Sequence, residues 1–454
     1  MLIGRNNELN QLATYYERDK SQIVVLYGQK YVGKTALLNE FMSDKPGFYY
    51  RAEPVSEKEQ RYRFGLFFAS LGIKTLKYPE YSDIFTCFSQ KHTQKKVIVI
   101  DEFQNIIKNC PDFMDKLVSY VHSGLNRQDV FVILCSSSVS FVENSMVEKI
   151  GEAAFELSGF LKIKPLNFRH LREYFSLYTN EDCALCYSVL GGYPGLWRMF
   201  DEKQSVKDNI VKNILDKSGP LHNVANSLIE GELRETGVYN TILSALSEGK
   251  NKLNDLHEHT GFSRAKISVY IKNLMELDFV NKVFSVDSEG RDNAQKGLYD
   301  ISVHFLDFWF TFLFKNSSLM DTESPEEFYA LRILPGLKQY AGKYFKEICS
   351  DYLKGLNDRN RLPIRAEKYG VWYGKLGTID VVASDNSGKN LIAMCIYDKP
   401  MVTYDDYERL LMLASKAKIS PDNVYLFAGM RFDEKITLEA KVGKNLKLVL
   451  LDRI

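Results

Sequence analysis

The sequence lacks an excess of either charge, any regular cysteine spacing and any long apolar run. Its 59 Lys and Arg against 58 Asp and Glu leave a formal net charge of +1, so no global field favours nucleic acid or a membrane surface. Seven scattered cysteines argue against a disulfide framework. The densest apolar stretch, residues 305–314, contains Asp307 and is too short to span a bilayer. We expect a cytoplasmic protein without membrane contact.

The length of the chain, its first residues and its cysteine spacing further limit the class of protein. The 454 residues, 45% of them hydrophobic, predict three or four globular domains. The first residues turn polar at once, and we expect no signal peptide. Cys183 and Cys186 form the one C-x-x-C pair, inside a helical pattern over 182–190 with no βαβ context. A buried helix face is therefore favoured over a redox or zinc site.

Residues 28–35 fit G-x-x-x-x-G-K-[ST], the loop that cradles phosphates. An apolar run over 23–27 predicts a buried parallel strand before the loop, and residues 36–41 predict a helix after it. Backbone N–H groups and the helix N-terminus favour a bound phosphate. The candidate binding residues are Gly28, Gln29, Lys30, Tyr31, Val32, Gly33, Lys34, Thr35 and Ala36. Lys34 is expected on the β- and γ-phosphates, and Thr35 on Mg²⁺.

A second apolar run, residues 97–100, ends in two carboxylates. Asp101 at the strand end is expected to hold Mg²⁺, usually through water. Glu102 is expected to orient and deprotonate an attacking water. A nucleotide-binding switch needs only the first carboxylate, whereas a hydrolase benefits from the second.

The next predicted strand, residues 130–135, is followed by three serines. Hydroxyls at the carboxyl edge of a parallel sheet face the crevice where ligands bind, and Ser137 is then a candidate for the γ-phosphate or the water. Serines are also common in the turns that follow strands, so the sequence leaves both interpretations open.

Together these segments resemble the prokaryotic and archaeal ATPase family of P-loop proteins, which belongs with the AAA+ and STAND-type NTPases. The matching segments are Ile3-Gly4-Arg5-x-x-Glu8-Leu9, the loop at 28–35, Ile100-Asp101-Glu102-Phe103-Gln104, Leu134-Cys135-Ser136-Ser137-Ser138, Lys164-Pro165-Leu166-Asn167-Phe168-Arg169 and Gly191-Gly192-Tyr193-Pro194. The resemblance implies ATP as the ligand, with Arg5 near the adenine. It also implies that the turn carrying Pro194, in a helical lid, closes over base and ribose.

The sequence departs from this family before the Lys-Pro-Leu segment. Members tend to carry Gly-Arg pairs there, plausible arginine fingers, whereas residues 154–160 contain no arginine. An arginine finger raises the rate by on the order of a thousandfold or more. We therefore expect slow turnover. Arg127, Arg169 and Arg198 remain as candidates for this role.

From residue 237 the pattern predicts a winged helix-turn-helix: helices over 239–246, 253–259 and 264–277, then two wing strands over 279–284 and 297–301. The third helix carries Arg264, Lys266 and Lys272, which are candidates for DNA contact. Acids outnumber bases over 235–300, which favours instead a packing or switch role. The aromatic segment 305–312 predicts a buried connector and resembles the Asp-Pro-x-x-x-Phe-Trp connector of the same family, with His304 in place of the proline.

The last part of the chain resembles the restriction-endonuclease-like core of the PD-(D/E)xK nucleases. A helix over 340–356 carries Glu347, and strands over 370–373, 378–383 and 390–396 follow, the second with Asp380. The expected Glu-x-Lys on the third strand reads Met394-Cys395-Ile396. The resemblance thus implies a degenerate site without metal-dependent cleavage, and a domain that binds or docks a protein partner.

We therefore expect an α/β fold in four parts. They are a P-loop NTPase core with a parallel sheet (1–160), a helical lid (161–232), a winged helix-turn-helix with its connector (233–315) and a small α/β nuclease-like domain (316–454). ATP with Mg²⁺ is the expected cofactor, and the expected activity is slow hydrolysis in a nucleotide-dependent switch. The alternative is a DNA-binding regulator or nuclease gated by ATP.

Overall fold

The computed structural model describes residues 2–74, 76–89, 95–123, 129–288, 297–443 and 445–454. The chain forms two compact units. One comprises Met1–Pro165 with Tyr193–Gly195, and the other comprises Leu166–Gly192 with Leu196–Ile454. In the described part of the chain, no helix combines the length and the apolar character needed to cross a membrane.

The first unit is built on a parallel sheet of five strands: β1 (Gln22–Tyr27), β2 (Gly47–Arg51), β3 (Lys96–Asp101), β4 (Val130–Ser136) and β5 (Gly159–Lys162). Their spatial order is β2-β3-β4-β1-β5, so β4 lies between the strand before the phosphate loop and the strand that ends in Asp101. Strands β3 and β4 are buried along their whole length, which explains their continuous apolar sequences.

Helices cover this sheet and pack aromatic side chains against it. They span Asn6–Tyr16, Lys34–Met42, Glu57–Ser70, Tyr81–Ser89, Gln104–Ile107, Phe113–His122 and Met146–Ile150, with a π turn at Phe141–Ser145 and a 3₁₀ turn at Gly151–Glu156. The core joins Phe64, Phe68 and Phe113 to the apolar side chains of the strands. This packing fixes the carboxyl ends of the strands, where the candidate site lies.

The second unit opens with helices at Phe168–Tyr174, Asn180–Leu190, Val206–Ile210, Val211–Leu215 (a π turn) and Val224–Glu230. The short helix Pro194–Trp197 begins in the turn Tyr193–Gly195, which belongs to the first unit. Thr179 and Asp182 form a capping box at the start of the helix Asn180–Leu190. Cys183 and Cys186 are both buried in that helix and both are free, and burial raises the pKa of the Cys183 thiol to about 12. They therefore have a packing role, as the sequence predicts.

The winged helix has the predicted order. Its helices are Thr236–Ser247, Leu253–Thr260 and Arg264–Glu276, and β6 (Val280–Val283) pairs antiparallel with β7 (Leu298–Ile301). Ser263 caps the third helix by accepting from the Lys266 N–H. Ile267, Ile271 and Leu274 form its buried stripe. The tip of the predicted wing, residues 289–296, lies outside the described residues.

The buried connector runs through His304–Phe308, Trp309–Leu313, Phe314–Asn316 and Ser317–Met320, and the chain continues through Pro325–Phe328 and Tyr329–Ile333 into the long helix Leu334–Asp358. A second five-stranded sheet follows: β8 (Lys368–Gly374), β9 (Gly377–Ser384), β10 (Asn390–Ile396), β11 (Asn423–Ala428) and β12 (Leu446–Leu450), in the order β12-β11-β10-β9-β8. Strands β8, β9 and β10 are antiparallel neighbours, while β10, β11 and β12 are parallel. The remaining helices are Tyr404–Ala417, Glu434–Val442 and a final turn at Leu451–Arg453.

Candidate functional site

The loop at 28–36 joins β1 to the helix Lys34–Met42, as its sequence predicts. Gly33 adopts φ +100°, a left-handed conformation that glycine favours, and Tyr31 also has a positive φ of 66°. The buried Lys34 ammonium donates to the carbonyl oxygens of Gly28 at 2.8 Å and Gln29 at 3.0 Å. The loop thus curls around the lysine, the group expected to meet a phosphate.

Two other segments of the first unit brace this loop. The buried Arg5 guanidinium donates to the carbonyl oxygens of Val32 at 2.7 Å and Lys164 at 2.8 Å, and it pairs with Glu8. Burial lowers the pKa of Arg5, opposed by the carboxylate of Glu8. Arg5 therefore supports the loop from behind, and its predicted place near the adenine stays a prediction.

The turn Tyr193–Gly195 is the second brace. The Tyr193 hydroxyl donates to Gln29 Oε1 at 2.6 Å, and the Gly195 N–H donates to the Tyr31 carbonyl at 2.9 Å. A side chain at position 195 would lie only 2.8 Å from Tyr31 Cα, so this close approach requires glycine. Pro194 lies beside Gly33, where a Cβ on the glycine would come within 3.3 Å of the proline ring. The turn contacts the loop itself, and its contact with base and ribose remains a prediction.

Asp101 ends β3, is 5% exposed and takes only uncharged donors. Its Oδ1 accepts from the Glu102 N–H at 3.0 Å, its Oδ2 accepts from the Tyr49 hydroxyl, and the Cys135 thiol also bonds to it. Within the described residues no lysine or arginine forms an ion pair with this carboxylate. A buried carboxylate without a basic partner is suited to a cation.

The Tyr49 hydroxyl also lies within hydrogen-bonding reach of Thr35. Burial, together with the charge of Asp101 and the hydrogen bond to it, raises the pKa of Tyr49 well above its usual value, so the phenol stays protonated and donates. Thr35, Tyr49 and Asp101 therefore form one connected group. Hydroxyl and carboxylate oxygens are ligands that Mg²⁺ accepts, and Thr35 and Asp101 fit the predicted metal site.

Glu102 is held in one orientation by its neighbours. Its Oε2 accepts from the Ser137 hydroxyl at 2.8 Å, the Ser137 N–H at 3.1 Å and the Gln104 side-chain amide at 2.6 Å. The residue has a φ of 53°, a strained backbone conformation for a side chain of this size. Ser137 thus contacts the predicted catalytic acid, and its predicted contact with phosphate or water stays a prediction.

The structure adds three residues that the motifs did not assign to the site. Tyr49 lies on the edge strand β2, and the burial of β2 alternates, so nothing in its sequence marks this hydroxyl. Gln104 ends one of the segments that carry the family resemblance, but the motif assigns it no role. Cys135, fully buried at the end of β4, lies close enough to Lys34, Asp101 and Glu102 for their charges to act on its thiol, whose pKa is raised by burial first.

The candidate DNA-contact residues of the winged helix are exposed and have local partners. The Arg264 Nε donates to Asn254 Oδ1 at 2.8 Å, the Lys266 ammonium lies 4.5 Å from the Phe262 ring centroid, and Lys272 pairs with Glu276 at 3.7 Å.

In the C-terminal sheet, Asp380 pairs with Lys346 of the long helix at 2.8 Å, and its Oδ2 accepts from the Cys395 N–H at 2.9 Å. Glu347 takes different partners: the Tyr187 hydroxyl at 2.6 Å and His304 Nε2 at 3.1 Å. Burial raises the pKa of Glu347, and His304 with Tyr187 outweighs it, leaving that pKa below its usual value. The two residues of the predicted degenerate site therefore do not share partners.

The positions expected for Glu and Lys on β10 are filled by Met394 and Ile396, which pack in the hydrophobic cluster of this sheet. Trp372 of β8 belongs to the same cluster. Among the candidate arginines, Arg169 and Arg198 are exposed in the second unit, and Arg127 lies outside the described residues.

Comparison with known proteins agrees with this geometry. Residues 2–200 match the family described as an ATPase domain predominantly from Archaea, and residues 240–282 match bacterial regulatory proteins of the arsR family. Residues 309–401 match archaeal and bacterial proteins of unknown function, so the resemblance to nucleases stays a prediction. An uncharacterized protein of Methanocaldococcus jannaschii is 27% identical over 441 residues, which cover 93% of this chain and 97% of the relative.

Two solved structures are also similar. The Walker-type ATPase of Pyrococcus abyssi superposes with a TM-score of 0.48 at 17% identity, covering 68% of this chain and 96% of that chain. The ORC2 protein of Aeropyrum pernix, in ADPNP–ADP complexes, gives 0.46 at 15% identity, covering 71% and 94%.

The phosphate loop, the paired carboxylates and the parallel sheet define an ATP-binding P-loop ATPase, and a winged helix-turn-helix follows it in the chain. The match of residues 2–200 to the predominantly archaeal ATPase family confirms the resemblance drawn from the motifs.

Proposed function

We propose that this protein is a slow, Mg²⁺-dependent ATPase that acts as a nucleotide-dependent switch. The observation that carries this proposal is the fixed Glu102, whose Oε2 takes three donors at the carboxyl edge of the sheet that bears the phosphate loop. A restrained carboxylate beside a phosphate loop is the arrangement that a hydrolase needs and that a simple nucleotide-binding protein does not.

In the proposed reaction, Glu102 orients the attacking water. Among the described residues none bonds its Oε1, which leaves that oxygen to accept a proton from the water. Lys34 turns from the carbonyl oxygens of its own loop to the phosphates. Thr35 and Asp101 would hold Mg²⁺, which would neutralise phosphate charge. Ser137 keeps the carboxylate in position during the step.

We expect slow turnover because the segment in which related proteins carry arginine fingers has no arginine. The segment 154–160 has no arginine, and an arginine finger supplies about 10³-fold or more in rate. Without an arginine finger, the ATP-bound state persists long enough for other parts of the chain to respond to it. This is the property of a switch.

The chain connects the phosphate loop to the C-terminal domain in a way that could transmit nucleotide binding. The turn Tyr193–Gly195, which braces the phosphate loop, continues directly from the helix Asn180–Leu190. In the second unit this helix carries Tyr187, whose hydroxyl donates to Glu347 of the long helix and whose carbonyl bonds His304 of the connector. A shift of the turn on nucleotide binding would therefore pull on a helix tied to the connector and to the C-terminal domain.

Hydrolysis is tested by ATP turnover of the wild-type protein, Glu102→Gln and the control Glu148→Gln, whose carboxylate is exposed on a helix away from these bonds. We expect slow turnover in wild type and control, and loss of at least about tenfold in Glu102→Gln with nucleotide binding retained. Equal rates in wild type and Glu102→Gln would remove the hydrolase claim and leave the binding claim standing.

The switch is tested by hydrogen exchange with and without a non-hydrolysable ATP analogue. We expect nucleotide to change protection in the helix Asn180–Leu190 and the long helix Leu334–Asp358 of the wild type. In Tyr187→Phe the change in the long helix should shrink. Identical exchange of both helices with and without nucleotide would contradict the switch.

The C-terminal domain is proposed as a docking module for a protein partner and not as a nuclease. Met394 and Ile396, in the core of its sheet, supply neither the carboxylate nor the lysine that metal-dependent cleavage uses. Incubation of the purified protein with DNA and Mg²⁺, with and without ATP, should leave the DNA intact.

A DNA-binding regulator gated by ATP is the second candidate, supported by the winged helix and its three exposed basic side chains. DNA retention should then fall steeply between two salt concentrations, and Lys272→Ala should reduce the slope of log affinity against log salt by about 1. Lys250→Ala, outside the third helix, is the matched control. Retention that is equally weak at both salt concentrations would leave the winged helix as a packing module.

A further inference from the structure

Tyr49 joins the two residues that fit the metal site, although it belongs to none of the motifs. Its hydroxyl donates to Asp101 Oδ2, and Thr35 lies near enough to act on the pKa of this hydroxyl. These two residues come from the end of β3 and the start of the helix after the phosphate loop, so one phenol bridges separate parts of the site.

The bridge occupies the carboxylate that a cation would use. Of the donors on Asp101, the Glu102 N–H is part of the backbone at the end of β3, and the Cys135 thiol is fully buried. Tyr49 is half-buried and comes from the edge strand β2. Its phenol is therefore the donor that can leave at least cost, because a χ1 rotation of the side chain carries the hydroxyl away from the carboxylate without moving the sheet.

The buried carboxylate also explains why a phenol stands there. An ionised group at 5% exposure is unfavourable unless hydrogen-bonded, and no lysine or arginine of the described residues forms an ion pair with it. A neutral donor on a movable side chain stabilises Asp101 before the metal arrives. It then competes with the metal and its water ligands for the same oxygen.

We propose that Tyr49 sets the Mg²⁺ requirement of nucleotide binding by occupying the Asp101 carboxylate in the metal-free site and releasing it when Mg²⁺ enters. This inference rests on the proposed Mg²⁺-dependent function. It makes Tyr49 a positioning residue, and it predicts that removal of one hydroxyl tightens metal binding.

The test compares Tyr49→Phe with Tyr50→Phe in the full chain. Tyr50, the next residue on β2, accepts a hydrogen bond from Gln60 at its hydroxyl and stacks on Phe64 in the core, so its variant removes a tyrosine hydroxyl of the same strand away from Asp101. A fluorescent ATP analogue is titrated first without metal and then with increasing Mg²⁺ at fixed analogue. The readouts are the metal-free dissociation constant and the Mg²⁺ concentration at half-maximal effect.

We expect Tyr49→Phe to lower the half-maximal Mg²⁺ concentration by about tenfold, the effect of removing one hydrogen bond to a charged group, and to leave metal-free binding unchanged. Tyr50→Phe should leave the Mg²⁺ concentration as in wild type. An unchanged or higher Mg²⁺ concentration in Tyr49→Phe overturns the inference, and so does loss of metal-free binding, because Tyr49 would then shape the phosphate loop. Wild-type protein that binds the analogue equally with and without Mg²⁺ would instead contradict the proposed metal dependence.

Discussion

The two five-stranded sheets each carry a buried aspartate, and the partners of these aspartates differ. Asp101 on β3 takes a phenol, a thiol and a backbone N–H, all uncharged. Asp380 on β9 takes the Lys346 ammonium at 2.8 Å. A buried carboxylate that already has a lysine is neutralised within the protein, whereas one with neutral donors keeps its charge for a ligand. The neighbours, and not the aspartate, decide whether a carboxylate forms a site.

The surroundings of the two aspartates extend this contrast. Beside Asp101, strand β3 runs on into Glu102, which is held by Ser137 from the neighbouring strand β4. On β10, next to Asp380, the residues expected to be charged are apolar, and both belong to the core. The strands of the first sheet end in polar groups that contact one another, whereas apolar core side chains occupy the corresponding positions of the second sheet.

The largest expected effect is a difference in ATP affinity between variants of Lys34 and Lys346. Lys34→Ala should weaken ATP binding by about a hundredfold or more, because the loop loses the ammonium that meets the phosphates. Lys346→Met removes the ammonium that pairs with Asp380 and should leave ATP binding unchanged. Titration of a fluorescent nucleotide measures both. Weakened ATP binding in Lys346→Met would mean that the second sheet also takes part in the nucleotide site.

The two aspartates are expected to be opposite cases for the stability of the second unit, with a clear effect at Asp380 and none at Asp101. Asp380→Asn should lower the free energy of unfolding of the second unit by about 2 kcal/mol, because Lys346 loses its counter-charge; half-exposure of the lysine keeps the effect below that of a fully buried pair. All three tryptophans (Trp197, Trp309 and Trp372) lie in the second unit, so their fluorescence during urea unfolding reports on it.

Asp101→Asn is the matched variant for that measurement. It removes a buried charge without a basic partner from the first unit, so the tryptophan-detected transition should stay at the wild-type urea concentration. A shift of that transition as large as that of Asp380→Asn would show that the two aspartates are not the opposite cases described above.

Ser137→Ala should lower kcat by about tenfold and leave nucleotide affinity unchanged, because Glu102 loses one of three donors and remains bound by the other two. Ser140→Ala is the control, since that hydroxyl accepts from Asn144 and lies on the turn beyond. A change in affinity with unchanged kcat would assign Ser137 to the phosphate, as one of the two interpretations of the sequence has it.

The smallest effect concerns pH and the long helix, where Asp351 has a pKa raised to about 6 by burial, opposed by Lys354. Because this folded-state pKa lies above the unfolded value, wild-type stability should fall as pH rises from about 4 to about 6 and then level off. Asp351→Asn carries no charge, so it should be more stable than wild type by about 1 kcal/mol at pH 7.5 and by less near pH 4. Tryptophan-detected unfolding at the two pH values measures the difference, and an equal gain at both would exclude titration of Asp351 as its cause.

The local parts of the site were predictable from the sequence. The loop at 28–35 carries its own geometry in two glycines and its own chemistry in Lys34 and Thr35, and the apolar run before Asp101 identifies a buried strand. The helix order of the winged domain and the strands of the last domain also follow from periodicity and turn residues. In each case the decisive residues lie within one helix, strand or loop, where the separation of two residues in the sequence fixes the distance between them.

The partners of these residues were not predictable, because they come from distant parts of the chain. Tyr49 lies 52 residues from Asp101, Ser137 lies 35 residues from Glu102, and Tyr187 lies 160 residues from Glu347. No spacing rule reaches across such distances. The sequence of β2 shows only an alternating edge strand, and its pairing with β3 brings the Tyr49 hydroxyl to the metal ligands.

The sequence by itself determined that this chain binds a nucleoside triphosphate, since a phosphate loop and a pair of strand-end carboxylates are short motifs with fixed chemistry. Only the tertiary structure decided which side chains hold those groups: Asp380 pairs with Lys346, whereas Asp101 has no ion pair with a lysine or arginine among the described residues. The physical reason is that a charge in a protein interior depends on which donors and cations the fold brings within hydrogen-bonding distance.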